Sequence, residues 1–213
     1  SARSTGAAAG GELTVLRPLV VLALCLCAGA GRAQAPAAEL AARLAAIDQL
    51  SGRFEQTVTA SATGAPEAAS GRFALRRPDR FRWEITAPDQ QLLVAREGVL
   101  WHYDRDLETA TRRQLADDGG AAPLLLLGAG EAALADAFTV TRVGEDAYRL
   151  RPLRTDAAFE ETTLRFDGAL PVAMRVVDRL RQVIDIRLLD LSREPLAEAL
   201  FEFTPPAGVE VYR

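Results

Sequence analysis

The sequence predicts a mainly β (α+β) fold, in which one antiparallel sheet curls around a partly filled interior beneath short helices. Apolar and polar residues alternate with a period of two over much of residues 54–188, as in strands with one apolar and one solvated face. Short turn sequences separate these segments, so neighbouring strands are expected to pair antiparallel. Only residues 36–50 and 121–137 have helical character, and a sheet of roughly ten strands usually curls or closes.

The composition narrows the class of protein. The chain has 213 residues with 25 basic and 29 acidic side chains, a formal net charge of −4, and all of its basic residues are Arg. A hydrophobic content of 49% supports a packed core and excludes wholesale disorder. The acidic balance argues against a nucleic-acid partner, which would require a basic surface. The length suits one domain.

The N-terminal region has the pattern of a secretory signal peptide. Residues 16–28 read LRPLVVLALCLCA, an apolar run that is too short to span a bilayer. Arg17 precedes most of this run, and Ala33-Gln34-Ala35 fits a cleavage site. We therefore predict a signal peptide over residues 1–35, with residues 1–14 upstream of the true start, and a single domain over residues 36–213. Cleavage after Ala30 or Ala33 remains an alternative.

Removing this segment changes the chemistry of the chain. The remaining domain has 22 Arg against 28 acidic residues, a net charge of −6. Both cysteines, Cys25 and Cys27, lie inside the predicted signal, so the domain has to fold without a disulfide. Leucine precedes each cysteine, whereas a lipoprotein signal requires a small residue there. The sequence predicts an exported domain that is soluble once the signal is removed.

The elements follow in order along the chain. Leu40, Leu44 and Ile47 recur at helical spacing and predict an amphipathic helix over residues 36–50. The alternating apolar sets that follow are Phe54/Val58, Phe73/Leu75, Phe81/Trp83/Ile85, Val99/Trp101/Tyr103, Phe138/Val140, Tyr148/Leu150, Leu164/Phe166, Val172/Met174/Val176 and Ile184/Ile186/Leu188. Residues 117–137 interrupt them as one or two short helices. Two interpretations of the interior stay open at this point, an apolar cavity for a lipid-like ligand and a fully packed core.

Six segments carry a family resemblance. They are FEQ at 54–56, RRPDRFRW at 76–83, GVLWHY at 98–103, LETAT at 107–111, PLLLL at 123–127 and FEFTPPAGV at 201–209. In this order, behind a signal without a lipidated cysteine, they resemble the outer-membrane lipoprotein carrier family, LolA. One departure is Asp104-Arg105-Asp106, where the family often has Pro.

The resemblance implies an incomplete, strongly curved antiparallel β-barrel with a helical lid, a lipoprotein carrier-like half-barrel. It also implies a periplasmic chaperone that binds the acyl chains of lipoproteins released from the inner membrane and carries them to the outer-membrane receptor. The implied partners are outer-membrane lipoproteins, an inner-membrane lipoprotein-releasing ABC transporter and an outer-membrane lipoprotein receptor. We expect a monomer without a nucleic-acid partner.

The candidate site residues fall into three groups. The lipid-cavity lining is expected to include Phe54, Phe73, Phe81, Trp83, Ile85 and Trp101, with Met174 and Ile186 on the far side. The run Pro123, Leu124, Leu125, Leu126 and Leu127 is expected to belong to the lid, because four consecutive Leu cannot all face one side. The resemblance assigns the lid lock to Arg77, whose guanidinium offers five donors in a rigid fork. Each lining residue has packing in an ordinary core as its alternative role.

Catalysis has little support. The sole histidine, His102, lies in an aromatic strand, and the sequence has no G-x-S-x-G motif, no cysteine after residue 27 and no Gly-rich phosphate loop. The sequence therefore predicts no enzyme, no metal and no cofactor. The alternative function is a periplasmic lipid or lipoprotein-sensing protein of the same fold group.

Overall fold

The computed structural model describes residues 36–60, 65–115 and 131–212. All of them belong to one compact unit, Gln34–Arg213. The predicted signal peptide and the lid run Pro123–Leu127 lie outside the described residues.

Two short helices and twelve strands make up the described part. The helices are α1 (Pro36–Ala45) and α2 (Glu131–Ala137), and a 3₁₀ turn spans Glu198–Phe201. The strands are β1 (Gln49–Thr59), β2 (Glu67–Arg76), β3 (Arg80–Ala87), β4 (Gln91–Arg96), β5 (Val99–Asp104), β6 (Thr109–Gln114), β7 (Phe138–Arg142), β8 (Ala147–Pro152), β9 (Phe159–Asp167), β10 (Leu170–Asp178), β11 (Val183–Ser192) and β12 (Glu210–Tyr212).

The strands form a single open sheet. Their order is β12-β6-β5-β4-β3-β2-β1-β11-β10-β9-β8-β7, with β12 and β7 at its edges. Successive neighbours pair antiparallel, and only the pair of β12 with β6 is parallel. The predicted mainly β fold with an incomplete, strongly curved sheet is confirmed.

Helix α1 is shorter than the predicted helix over residues 36–50. Leu40 and Leu44 of the predicted apolar stripe are buried in the helix together with Ala41, whereas Ile47 is buried just beyond its end. The helix ends at Ala45, because the backbone from Gln49 onward pairs with β2 instead. The last two residues of the predicted helix, 49 and 50, therefore belong to strand β1. No helix in the described part of the chain is long and apolar enough to cross a membrane.

Each face of the sheet has its own cover. We call the face that carries the main buried cluster, together with Leu40 and Leu44 of α1, the inner face, and its opposite the outer face. The segment after β11 lies on the outer face of β3 to β5, where Phe201 is buried and its ring lies 5.5 Å from the Arg76 guanidinium carbon. Glu198 accepts a hydrogen bond of 2.9 Å from Arg80. Both faces of this half of the sheet are therefore covered.

Candidate functional site

An aromatic cluster occupies the inner face at the centre of the sheet. The ring of Trp83 is stacked on Phe54 with centroids 3.5 Å apart and planes 18° apart, and lies 6.0 Å from Phe73 and 6.2 Å from Phe81. All four rings are buried. They come from three adjacent strands, β1, β2 and β3. They share one face because every second residue of a strand points to the same side of the sheet. Stacked and tilted ring pairs of this kind add stability beyond the area they bury.

Two glycines allow close approach of the backbone and of these rings. A Cβ atom on Gly71 would lie 1.9 Å from the carbonyl oxygen of Glu84 and 2.8 Å from Cε1 of Phe54. One on Gly52 would lie 2.5 Å from the carbonyl oxygen of Leu189 and 3.1 Å from Cε1 of Phe73. All four distances are shorter than ordinary contacts of about 3.5–4.0 Å between carbon atoms, so a side chain at either position would displace a neighbouring strand as well as a ring.

Aliphatic residues of β9, β10 and β11 adjoin the aromatic cluster on the inner face. Met174 pairs with Leu164 on one side and with Ile186 on the other, and all three are buried. The cluster they join extends to the aromatic side through Leu188, which pairs with Phe54. Ile85 is partly buried and packs against the same cluster. The structure therefore brings seven of the eight candidate lining residues together on one continuous apolar face.

Trp101 is the exception and requires a correction. In β5 it is Leu100 that belongs to the inner cluster, so Trp101 lies on the outer face. There its ring lies 5.5 Å from Phe203, edge to face, beside an outer groove of about 410 Å³. The apolar set of β5, Val99, Trp101 and Tyr103, faces outward, where the C-terminal segment covers it. The alternation alone could not tell which face of this strand points inward.

Arg77 directly follows β2 and lies beside the segment that links α1 to β1. Its Nε donates a hydrogen bond of 3.1 Å to the carbonyl oxygen of Ile47, and its backbone N–H donates one of 2.8 Å to the carbonyl of Asp48. Arg193 donates to the neighbouring carbonyl of Ala46 at 2.6 Å. Burial lowers the pKa of the Arg77 guanidinium, and the nearby carboxylate of Asp48 opposes that shift. Arg77 therefore holds the segment directly after α1, whereas the run 123–127 lies outside the described residues.

A second set of contacts, which we call the α1 clasp, joins α1 to β7, β8 and β9. Arg43 pairs with Asp146 at 2.9 Å, and Arg142 pairs with Glu39 at 3.2 Å. The Arg43 guanidinium carbon also lies 5.7 Å from the ring centroid of Tyr148 and 5.1 Å from that of Phe166, within the range of cation–π attraction. The sequence analysis missed this clasp, because its partners lie about a hundred residues apart. The alternation does contain the signal for Tyr148 and Phe166.

Histidine and carboxylate side chains are the groups of the described part that could bind a metal or transfer a proton. Nε2 of His102 lies 3.4 Å from Oε1 of Gln91. Burial lowers the pKa of His102; the carboxylate of Asp104 opposes this shift, and the charge of Arg113 adds to it. Across residues 36–60, 65–115 and 131–212, no three His, Cys, Asp or Glu side chains come together as a potential metal site. The inner face is an apolar surface covered by helix α1. Polar contacts hold this helix in place.

A family model described as the outer membrane lipoprotein carrier protein LolA matches residues 45–204. The chain belongs to the LolA family. Proteins named outer-membrane lipoprotein carrier protein from Alkalilimnicola ehrlichii and Alcanivorax borkumensis are both 36% identical to it. The first aligns over 90% of this chain and 92% of its own length. The second aligns over 81% of this chain and 85% of its own length.

Solved structures support the fold. A LolA superfamily protein from Nitrosomonas europaea superposes with a TM-score of 0.50 at 11% identity, over 79% of this chain and 98% of its own. An uncharacterized conserved protein from Thermus thermophilus has a TM-score of 0.51 at 16% identity, over 83% and 98%. At these identities the likeness concerns the fold alone, the open curved sheet.

Proposed function

We propose that this LolA family member is a periplasmic chaperone that binds the acyl chains of lipoproteins released from the inner membrane and carries them to an outer-membrane receptor. The observation that carries the proposal is the continuous apolar inner face, whose lining runs from Phe81 and Trp83 to Met174 and Ile186. The names of the relatives point the same way.

The energetics of an acyl chain in water explain why such a face is needed. Exposure costs about 0.8 kcal/mol per CH₂, so a chain of roughly sixteen carbons carries a penalty on the order of 12 kcal/mol. Aliphatic and aromatic side chains relieve that penalty without directional bonds, so they accept chains of different length and allow release. In the structure the face is filled by its own side chains and by Leu40 and Leu44. Loading therefore requires α1 to move and the aromatic cluster to spread.

Arg77 acts in this proposal as the lock on the closed state. Its bond to the Ile47 carbonyl ties the segment directly after the covering helix to the end of β2. Entry of acyl chains would break this bond, and its re-formation would help to expel them. Carriers that bind and release need such a two-state equilibrium, with cargo shifting the populations. In the same account, the run Pro123–Leu127 completes the lid.

The route follows from the predicted signal peptide. Export through residues 1–35 would place the domain 36–213 in the periplasm as a monomer without a cofactor. An inner-membrane lipoprotein-releasing ABC transporter would load it, and an outer-membrane lipoprotein receptor would take the cargo.

The test uses spheroplasts that retain lipoproteins destined for the outer membrane. The protein, purified from the periplasm of an expressing strain, is added, and lipoproteins are measured in the soluble fraction. We expect their release in complex with the protein, with none released by a periplasmic protein of another fold. Release of free lipid alone, or of nothing, would favour the alternative of a lipid or lipoprotein sensor.

A further inference from the structure

Thr162 places one hydroxyl within the apolar inner face. It lies in β9, is fully buried, and pairs with Leu150 on one side and Val176 on the other. Paired residues share a face of the sheet, so the hydroxyl belongs to the inner face. The cross-strand row is Val140, Leu150, Thr162, Val176, Ile184, Val58 and Glu67. Thr162 is its one buried polar member, since Glu67 at the β2 end is exposed.

The hydroxyl has no partner within the described part of the protein. Its Oγ1 is buried without a hydrogen bond to any described group. Such an atom loses its bonds to water and gains nothing in return, and each such case in a native protein requires an explanation. Valine has nearly the same shape and favours strands equally. Stability of the closed protein therefore does not explain a hydroxyl at this position.

The chemistry of the proposed cargo supplies a reason. An acyl chain is apolar along its length but begins at a carbonyl, which accepts a hydrogen bond. We propose that Thr162 is a specificity-determining residue, whose hydroxyl donates a hydrogen bond to the carbonyl of an ester- or amide-linked acyl chain on the inner face. This inference rests on the proposed carrier function and adds the feature of the chain that is recognised.

The position of the row fits this role. Thr162 lies three residues after β9 begins at Phe159, and Ile184 lies one residue after β11 begins at Val183. The row therefore crosses the sheet near one end of its strands. Leu188, which pairs with Phe54, lies four residues after Ile184 along β11. At the rise of a strand this separation is about 13 Å. If the carbonyl of an acyl chain is bound at Thr162, the rest of that chain would extend along the inner face towards the aromatic cluster.

The experiment compares two lipopeptides that differ only in their linkage. One carries two palmitoyl chains as glyceryl esters, and the other carries two hexadecyl chains as glyceryl ethers, which lack the carbonyl. Dissociation constants are measured by fluorescence anisotropy of a dye on the peptide. For the unmodified protein we expect the ester form to bind roughly 2- to 12-fold more tightly, as one net hydrogen bond allows.

Variants assign that preference to one atom. Thr162→Val should bind both lipopeptides equally, whereas Thr162→Ser, which keeps a hydroxyl, should retain part of the preference. The matched control is Thr163→Val, since Thr163 lies on the outer face opposite Arg149 and Arg175 and should behave as the unmodified protein. Because the hydroxyl has no described partner, Thr162→Val should keep or raise the midpoint of thermal unfolding.

The outcomes distinguish a failure of the role of Thr162 from a failure of the carrier function. An equal preference for the ester in the unmodified protein and in Thr162→Val would overturn the role of Thr162, while the carrier function would stand. A marked fall in thermal stability of Thr162→Val would also overturn it, because the hydroxyl would then have a partner in the unloaded protein. If neither lipopeptide binds the unmodified protein, the carrier function itself fails.

Discussion

Replacing Arg77 by Leu should shift the balance between the closed and the open carrier. The substitution removes the bond from Nε to the Ile47 carbonyl, 3.1 Å long, while the backbone bond to Asp48 remains. A hydrogen bond from a charged donor contributes about 1.5–3 kcal/mol, and the lower value suits this half-buried side chain. A destabilisation of about 1.5 kcal/mol changes the ratio of closed to open protein by roughly tenfold. Because cargo binds the open state, apparent affinity should rise by the same factor.

The assay has two arms. Titration of a dye-labelled lipopeptide should give a dissociation constant roughly tenfold lower for Arg77→Leu than for the unmodified protein, since less energy is spent on opening. Handover to the outer-membrane receptor should be slower, since closure no longer helps to expel the chains. Arg77→Lys keeps the charge and one donor and should lie between the two. Unchanged affinity together with normal handover by a folded Arg77→Leu variant would refute the lock.

Further predictions concern the cluster and the clasp. Trp83→Ala should lower the free energy of unfolding by about 3–5 kcal/mol, and the half-exposed Trp101→Ala by clearly less, as measured by urea denaturation; equal losses would contradict the two-face assignment. Asp146→Ala should cost less than about 1 kcal/mol, as a partly exposed ion pair does. Arg43→Leu also loses two ring contacts and should cost about 1–2 kcal/mol; identical values would remove the cation–π contribution. Burial first, and then the nearby Glu39, raises the pKa of Tyr148 to about 12 from 10.0. The folded protein thus holds this proton more tightly than the unfolded chain, so the associated stability is complete below pH 10 and falls as the pH rises to about 12. Tyr148→Phe should lose less stability over that range, and parallel curves for the two proteins would count against the burial of the phenol.

The sequence pattern located most of the sheet because alternation is a local property. Phe81, Trp83 and Ile85 alternate with charged residues, and their place in the inner cluster follows directly from that pattern. The same logic failed for Trp101, because the more apolar set of β5 faces outward. Phe201 and Phe203, about a hundred residues further along the chain, cover that outer face. Which face of a strand points inward is a tertiary property that one strand cannot encode.

Irregular and long-range features limited the rest. The pairing of β1 with β11 shifts register between Ser51 and Arg53, and Asp190 has a positive φ of 51°. An extra residue in a strand reverses the faces of those that follow, so Leu191 packs against the inner cluster although simple alternation would place it outside. The unpartnered state of Thr162 likewise depends on strands on both sides. The lid run 123–127 stays a prediction.

The two tryptophans of the chain allow the central claim, that acyl chains bind the inner face, to be tested directly. Trp83 lies on the inner face and Trp101 on the outer face. Each is isolated in turn by the variants Trp101→Phe and Trp83→Phe, which are loaded with a lipopeptide carrying brominated acyl chains, a short-range quencher of indole fluorescence. We predict strong quenching of Trp83 and little quenching of Trp101. Quenching of Trp101 without quenching of Trp83 would place the acyl chains on the outer face and contradict the account.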